Sequence, residues 1–214
     1  YALGIIGIIY GALCALGQTD FKRLVAYSSV SHMGYIIVGL FSFEKVALSG
    51  SLYQMINHGI SAGGLFLIVG FLYERMHTRN LSDFGGLAKV VPMMAVAFMI
   101  LTLSSVALPG TNGFVGEFAI LLGSFQVAPM VAGLCCLGVI LGAVYALKAY
   151  QVVMLGPVST HEGVHHLNDI TAKEIVAMVG GKDYFSSPSG AFNVTLASRQ
   201  PGSMIKPIMY SLAL

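Results

Sequence analysis

Five long apolar stretches, separated by short polar turns, constrain this chain more than any other feature of its sequence. A helix needs about 20 mostly apolar residues to cross the hydrocarbon core of a bilayer, and most of these stretches approach or exceed that length. Only 9% of the residues are charged, against about 25% in soluble domains, and the mean hydropathy is +0.81. The composition excludes a soluble enzyme and a disordered chain. With 11 basic and 9 acidic residues there is no basic face for nucleic acid.

We therefore predict an all-α membrane protein of about five transmembrane helices, followed by a short non-membrane α+β tail. The fourth helix is interrupted by a Pro-Gly-Thr-Asn-Gly segment at 109–113. Because neither half crosses the core comfortably, we favour one discontinuous helix, whose irregular backbone must be buried in protein or line a wet cavity. Two separate helical elements joined by an ordinary loop are the alternative. The expected apolar helices are 1–17, 24–41, 46–73, 92–108 with 114–125, and 129–155.

The loops divide the charges unequally. The loops at 18–23 and 74–89 lie on the same side of the predicted membrane and contain Lys22, Arg23, Arg75, Arg79 and Lys89. The opposite side has only Lys45. The positive-inside rule predicts that the first side is cytoplasmic.

Four ionisable side chains lie inside the apolar stretches: His32, His58, Glu117 and Lys148. Such groups are costly in lipid and are functional candidates by default. Histidine both accepts and donates protons near neutral pH, so these residues could form a proton relay, bridged by water at Ser28, Ser29, Ser31, Thr111 and Asn112. The alternatives are histidines that only hydrogen-bond between helices and a Lys148 that extends to the membrane interface.

A compositional change near residue 157 predicts three regions: membrane helices at 1–156, a polar linker at 157–173, and a separate piece at 174–214. The linker contains His161, His165 and His166. Their spacing would suit a metal only on a helix, and Gly163 interrupts it without a matching Cys or carboxylate set. We predict no metal site.

The sequence QTDFKRLVAYSSVSHMG at 18–34 resembles the signature of the antiporter-like subunits of respiratory complex I. YERMHTR at 73–79 and LPGTNGFVGEF at 108–118 resemble the M-type members of these subunits. The resemblance covers residues 1–171. The Mrp cation/proton antiporters and the membrane-bound hydrogenases are sister families, and an Mrp subunit is an alternative identification.

The resemblance implies proton translocation coupled to NADH oxidation by a quinone, in the bacterial inner membrane. His58 matches the family's central histidine, His32 a second histidine near that path, and Glu117 the exit-side carboxylate on the discontinuous helix. The implied partners are the lipid bilayer and other membrane subunits of complex I. NADH, FMN, iron–sulfur clusters and quinone would bind in those partners, so this chain would have no cofactor or redox site of its own. The input half of the family's proton path is missing here, and we predict no autonomous translocation.

Residues 174–214 resemble a different family, the class A penicillin-binding proteins, in EIVAMVGGKDY at 174–184 and SRQPGSMIKP at 198–207. Ser203 and Lys206 fit an S-x-x-K motif, in which a serine nucleophile lies one helical turn from a lysine that assists its deprotonation. The family's second serine motif and its K-T-G strand are missing from the sequence. We predict an inactive serine acyl-transferase fragment, and interpret the chain as a fusion of two unrelated pieces. A non-functional chain without partners is a further alternative.

Overall fold

The computed structural model describes residues 1–161, 163–164, 167–171 and 174. Within these ranges the chain is all-helical and contains no strand, which confirms the predicted class; the predicted strand of the tail and the piece at 175–214 lie outside them. Two 3-10 turns, at Leu81–Asp83 and Leu87–Lys89, lie between the third and fourth helices. The α-helices are α1 (Ala2–Leu16), α2 (Phe21–Leu40), α3 (Lys45–Met76), α4 (Pro92–Ser105), α5 (Asn112–Val127) and α6 (Pro129–Met154).

Local sequence signals set the helix starts. The carboxylate of Asp20 accepts the backbone N–H of Arg23 at 3.0 Å and caps α2, and Glu44 caps α3 by accepting two backbone N–H groups at 2.7 and 3.0 Å. Helices α4 and α6 begin with proline, whose fixed φ and missing N–H suit a first helical position. These caps fall in the polar turns, so each turn predicted from composition separates two helices.

A break interrupts the helical path between Ser105 and Asn112. It begins three residues earlier than the sequence predicted, because Val106 already ends α4. At a rise of about 1.5 Å per residue, α4 spans roughly 21 Å and α5 roughly 24 Å, both short of a bilayer core of about 30 Å. By contrast, α3 and α6 are each long and apolar enough to cross a membrane, with mean hydropathies of 1.6 and 2.3.

Small residues allow the helices to approach closely. A Cβ atom at Gly34 would lie 2.7 Å from the carbonyl oxygen of Gly4, so α1 and α2 meet through their backbones. Likewise, a Cβ at Gly116 would overlap the side-chain oxygen of Gln54, so α5 lies directly on α3. Small residues at helix interfaces are typical of membrane bundles, where close packing replaces the hydrophobic effect.

The two basic loops meet at one end of the bundle, as the charge pattern predicted. Asp20 and Asn80 form an antiparallel bridge, and the N–H of Phe21 donates to the carbonyl of Arg79 at 2.8 Å. The end of α6 joins them, because the N–H of Gly86 donates to the carbonyl of Leu155 at 3.0 Å. We call this end of the bundle the basic end.

The described part of the expected linker packs against the basic end. Val164, Leu167 and Ile170 are buried in the same apolar core as α3 and α4. The carboxylate of Asp169 accepts the N–H groups of Met93 and Met94 at 2.7 and 2.9 Å, which supplies the cap that the sequence of α4 itself lacks. Residues that read as polar linker are therefore part of the bundle's packing.

Glu174, at the predicted boundary, is also tied to the bundle. Its carboxylate accepts a hydrogen bond from Arg75 at 2.7 Å and another from the backbone of Thr171 at 2.7 Å. Burial alone would raise the pKa of Glu174, but the Thr171 hydrogen bonds and the Arg75 charge together hold it below its ordinary value.

Candidate proton-relay site

A buried histidine–carboxylate pair lies at the centre of the bundle. His32 on α2 and Glu117 on α5 are 6% and 4% exposed, and their Nδ1 and Oε1 atoms are 2.8 Å apart. Both residues were predicted from sequence, and the fold joins them across 85 positions of chain. An acid and a base in direct contact inside an apolar bundle can share one proton, whose position sets the charge of both.

Gln54 on α3 orients the carboxylate. Its side-chain amide donates to Oε1 of Glu117 at 3.1 Å, so this oxygen receives hydrogen bonds from both Gln54 and His32. Gln54 is 3% exposed, and Gly116 leaves the space that lets it reach the next residue, Glu117. Gln54 and His32 together hold this carboxylate oxygen in place between α2 and α3.

The second ring nitrogen of His32, on the opposite edge of the imidazole, is also within hydrogen-bond distance of polar groups. Nε2 of His32 lies 3.2 Å from the hydroxyl of Ser105 on α4 and 3.3 Å from that of Tyr145 on α6. When Nδ1–H donates to Glu117, Nε2 has a lone pair that accepts one of these O–H groups. His32 can thus gain a proton on one side and release another on the opposite side. We call His32, Glu117, Gln54, Ser105 and Tyr145 the histidine cluster.

His58 on α3 lies next to this cluster. Its ring centroid is 5.4 Å from that of His32, with the two planes tilted by 38°. Among the described residues, its side chain has no hydrogen bond to His32 or Glu117. The structure therefore brings together three of the four relay candidates, two in direct contact and one as a neighbour.

A second group of polar side chains lies at the helix break. We call Asn57, Ser61, Ser104 and Asn112 the amide cluster. Asn57 on α3 donates to the backbone carbonyl of Asn112 at 2.8 Å, and the Asn112 amide donates back to Asn57 at 3.1 Å. Ser104 donates to Asn112 at 2.6 Å and pairs with Ser61 at 3.0 Å. These four side chains satisfy backbone and amide groups at the break, which apolar surroundings would leave unpaired.

Lys148 is not brought to the site. It is exposed on α6, and no hydrogen bond or ion pair within the described residues joins it to the histidine cluster. Of the other polar residues predicted to bridge, Ser31 bonds to the carbonyl of Ile8 on α1, whereas Ser29 and Thr111 bond to nearby backbone.

The tail candidates fall largely outside the described residues. Ser203 and Lys206 lie outside them, as do His165 and His166. His161 is described, and its Nδ1 accepts the N–H of Gly163 at 3.2 Å. Within the described part of the chain, no group of three or more His, Cys, Asp or Glu side chains could hold a metal ion.

Sequence reasoning missed several members of both clusters. Gln54, Asn57 and Ser61 were missed. Together with the predicted His58 they lie at i, i+3, i+7 and i+4 on α3, a spacing that places all four on one helix face. This polar stripe was a readable signal. Ser105 and Tyr145 had none, because a lone hydroxyl in an apolar helix is common and only tertiary packing brings it to His32.

A tightly packed helical bundle with a pinned break and a buried histidine–carboxylate pair is typical of ion-translocating membrane proteins. Residues 1–144 match the family model described as "NADH:quinone oxidoreductase/Mrp antiporter, TM". The chain belongs to this family and is an integral membrane protein.

Individual relatives support the same family assignment. The chain is 49% identical to NADH-quinone oxidoreductase subunit M of Rickettsia prowazekii over 82% of this chain and 36% of that protein. It is 34% identical to a chain in the structure of respiratory complex I from Thermus thermophilus with bound NADH, with a TM-score of 0.76 over 96% of this chain and 41% of the other. A chain of the Mrp complex from Dietzia is 21% identical, with a TM-score of 0.70 over 99% of this chain and 45% of the other, and shows the fold alone.

The chain spans only about a third of the length of the curated relatives, 36% for the Rickettsia protein. The M-type resemblance predicted from three sequence segments is confirmed by these findings. They give no support to the penicillin-binding resemblance of residues 174–214.

Proposed function

We propose that the chain is the exit-side part of a proton-translocating membrane subunit in an NADH:quinone oxidoreductase of the bacterial inner membrane. The observation that carries the proposal is the two-sided bonding of His32. One ring nitrogen faces Glu117 and the other faces Ser105 and Tyr145. The coupling to NADH and quinone is proposed because a relative at 49% identity is an NADH-quinone oxidoreductase subunit M.

The relay works by exchanging protons at His32. A proton bound at Nε2 makes the imidazole cationic, and Nδ1 then releases a different proton to Glu117, which restores a neutral ring in its other tautomer. His58, 5.4 Å away between ring centroids, supplies protons from the input side. Glu117 passes them toward the exit, while Gln54 keeps its carboxylate in place.

In the membrane, we propose five spans: α1, α2, α3, the α4–α5 pair as one discontinuous span, and α6. The two short halves together cross the core that neither crosses alone. The amide cluster hydrogen-bonds the irregular backbone at their junction, as a break at membrane depth requires. The basic end then faces the cytoplasm.

NADH, FMN, iron–sulfur clusters and quinone belong to partner subunits in this proposal. The described residues 1–161 contribute side chains suited to proton transfer, namely His32, His58 and Glu117. Large apolar side chains on the outer faces of α1, α4 and α6 are exposed, among them Leu3, Ile100 and Ile140. These faces suit lipid and neighbouring membrane subunits. Lys148, exposed near the basic end of α6, then extends to the interface.

The Mrp alternative shares the family model and the fold, but the relatives that share nearly half of the residues are NADH-quinone oxidoreductase subunits. The two functions differ in what drives proton movement. An oxidoreductase subunit requires NADH oxidation, whereas a cation/proton antiporter responds to a sodium gradient.

The test is to tag the chain in the organism that makes it, purify its complex in mild detergent, and assay NADH oxidation by quinone. Inside-out membrane vesicles should take up protons when NADH is added, and His32→Gln should abolish this uptake. His161→Gln is the matched control, because His161 lies outside the helices. Sodium-driven proton exchange without NADH-oxidising partners would replace the proposal with the Mrp function.

A further inference from the structure

Two buried hydroxyl groups tie α2 to two neighbouring helices. Ser31 donates to the backbone carbonyl of Ile8 on α1 at 2.9 Å, and Tyr35 donates to the backbone carbonyl of Cys135 on α6 at 2.8 Å. Ser31 and Tyr35 are only 1% and 2% exposed. Both bonds cross from one helix to another, whereas the hydroxyl of Ser28 bonds to a carbonyl of its own helix.

The Tyr35 hydroxyl lies in a space that the packing leaves open for it. A Cβ atom at Gly138 would lie 2.5 Å from the hydroxyl oxygen, so this glycine lets the tyrosine ring approach the backbone of α6. The other buried side chains of the same cluster include Ile8, Val38 and Ile120 and are apolar. A phenylalanine would fill nearly the same volume without burying a polar group. Apolar packing alone therefore does not account for the tyrosine, whereas the directional bond to α6 does.

Ser31 and Tyr35 flank His32 along α2. At 3.6 residues per turn, their side chains lie about 40° apart around the helix, and Tyr35 lies about 60° from His32. Two bonds about one turn apart restrict both the rotation of α2 about its axis and its sliding along that axis. Either movement would displace the imidazole from Glu117, whose Oε1 atom is 2.8 Å from Nδ1 of His32.

We infer that Ser31 and Tyr35 are positioning residues, which hold the imidazole of His32 against Glu117 by fixing α2 to α1 and α6. The inference rests on the proposed function, in which His32 exchanges protons. Within the described part of the chain, neither hydroxyl bonds to His32 or Glu117, so both act through the placement of α2. Small displacements matter, because a hydrogen bond weakens beyond about 3.2 Å and proton transfer requires that contact.

Tyr35→Phe tests the bond to α6, because it removes the hydroxyl and keeps the ring. Tyr150→Phe is the matched control. Tyr150 is also a buried tyrosine whose hydroxyl donates to a carbonyl of another helix, that of Ala95 on α4 at 3.4 Å, but it packs in a different apolar cluster. The readouts are NADH-driven proton uptake by inside-out vesicles at several pH values and the distance from His32 to Glu117 in a cryo-EM map of the intact complex.

Ser31→Ala tests the bond to α1 in the same way. Its matched control is Ser51→Ala, because Ser51 is equally buried but donates to the carbonyl of Ala47 in its own helix at 2.9 Å. Loss of the Ser51 hydroxyl removes a buried hydrogen bond without releasing one helix from another.

The pH profile separates positioning from a general loss of stability. Titratable groups face His32 from three elements, namely Glu117 on α5, His58 on α3 and Tyr145 on α6. Movement of α2 changes the distance from His32 to these groups, so the midpoint of the profile should shift in Tyr35→Phe. A variant that only lowers the amount of folded complex lowers uptake equally at every pH and leaves the midpoint unchanged.

We expect uptake per assembled complex to fall about fivefold in Tyr35→Phe and in Ser31→Ala, the factor that corresponds to one lost hydrogen bond of about 1 kcal/mol. Both controls should keep the parent rate and midpoint. The inference is overturned if the two variants keep the parent rate, if uptake falls without a change in midpoint or in the distance from His32 to Glu117, or if the controls slow uptake equally. Normal uptake in Tyr35→Phe and Ser31→Ala with loss in His32→Gln overturns only this inference, whereas normal uptake in His32→Gln overturns the proposed function as well.

Discussion

The histidine cluster and the amide cluster lie on neighbouring turns of α3, α4 and α5, and the histidine cluster also includes residues of α2 and α6. The two clusters differ in one physical property. The histidine cluster contains two groups that change charge by moving a proton, His32 and Glu117, 2.8 Å apart. The amide cluster contains only amides and hydroxyls, which keep a fixed charge at ordinary pH. Both satisfy polar groups in an apolar bundle, so burial and hydrogen bonding alone do not mark a functional site.

The difference assigns separate tasks to successive turns on one face of α3. Gln54 reaches Glu117, whereas Asn57, one turn later, reaches Asn112. One helix thus aligns the relay and fixes the break at which α5 begins. Changes in the histidine cluster should alter proton movement with little loss of stability, and changes in the amide cluster should do the reverse.

The largest effect is expected for Glu117→Gln. The amide preserves the size of the side chain and can still hydrogen-bond His32, but it cannot accept a proton. We expect NADH-driven proton uptake to fall by at least about 100-fold, the scale of a lost acid–base group, while the complex assembles normally. Dye-quenching assays on inside-out vesicles measure the rate.

Glu44→Gln is the matched control for that variant. Glu44 caps α3 at the opposite end of the bundle from the basic loops, and its loss should cost only about 1 kcal/mol of stability. Proton uptake at the parent rate by Glu117→Gln would contradict the contrast between the two clusters.

Asn112→Ala, in the amide cluster, should lower stability rather than proton uptake. The change removes the bonds to the Asn57 and Ser104 side chains, at 3.1 and 2.6 Å, and leaves those groups buried. We expect a loss of about 2–3 kcal/mol in the free energy of unfolding, measured by thermal circular dichroism of the chain in detergent. Proton uptake per assembled complex should stay close to the parent value, and Asn80→Ala, on an exposed loop residue, should change neither.

Gly116→Ala sharpens the comparison, because it touches the histidine cluster without changing a titratable group. The new Cβ would lie 2.9 Å from the Cβ of Gln54, so Gln54 must move away from Glu117. We expect about 1–2 kcal/mol of destabilisation from overpacking and a several-fold slower uptake. Gly133→Ala, where nothing lies within 4 Å of the new Cβ, should leave both quantities near the parent values; equal effects at the two glycines would refute the packing argument.

The sequence predicted the site best where a residue type is unusual in its surroundings. His32, His58 and Glu117 stand out because ionisable groups are rare in apolar helices, and the break follows from Pro109, Gly110 and Gly113. Asn112, predicted as a bridging residue, does hydrogen-bond across the break. The contact between His32 and Glu117 could not be read from the sequence, because it depends on how α5 packs across α2 and α3.

Packing also explains what the sequence obscured at the basic end. Asp169 lies 75 residues from Met94, yet it supplies the cap of α4, so no local pattern around Pro92 could predict it. The segment at 157–171 read as polar linker because its apolar residues are few. Val164, Leu167 and Ile170 are buried by their positions in the fold.

The smallest expected effect comes from an ion pair outside both clusters, Arg75 with Glu174. Their side chains are 18% and 25% exposed, so the pair is partly screened by solvent, and Glu174→Gln should cost only about 0.5 kcal/mol. The pKa of Glu174 is lowered in the folded chain, so its contribution is complete above the ordinary carboxyl range and disappears as the pH falls through the lowered value. Unfolding of the parent and the variant in detergent should therefore differ at neutral pH and converge in acid, while Glu74→Gln, on an exposed residue of α3, shows no such convergence. A difference that persists in acid would mean that shape, rather than charge, holds residue 174 to the bundle, and the contrast between exposed and buried pairs would then need a different physical basis.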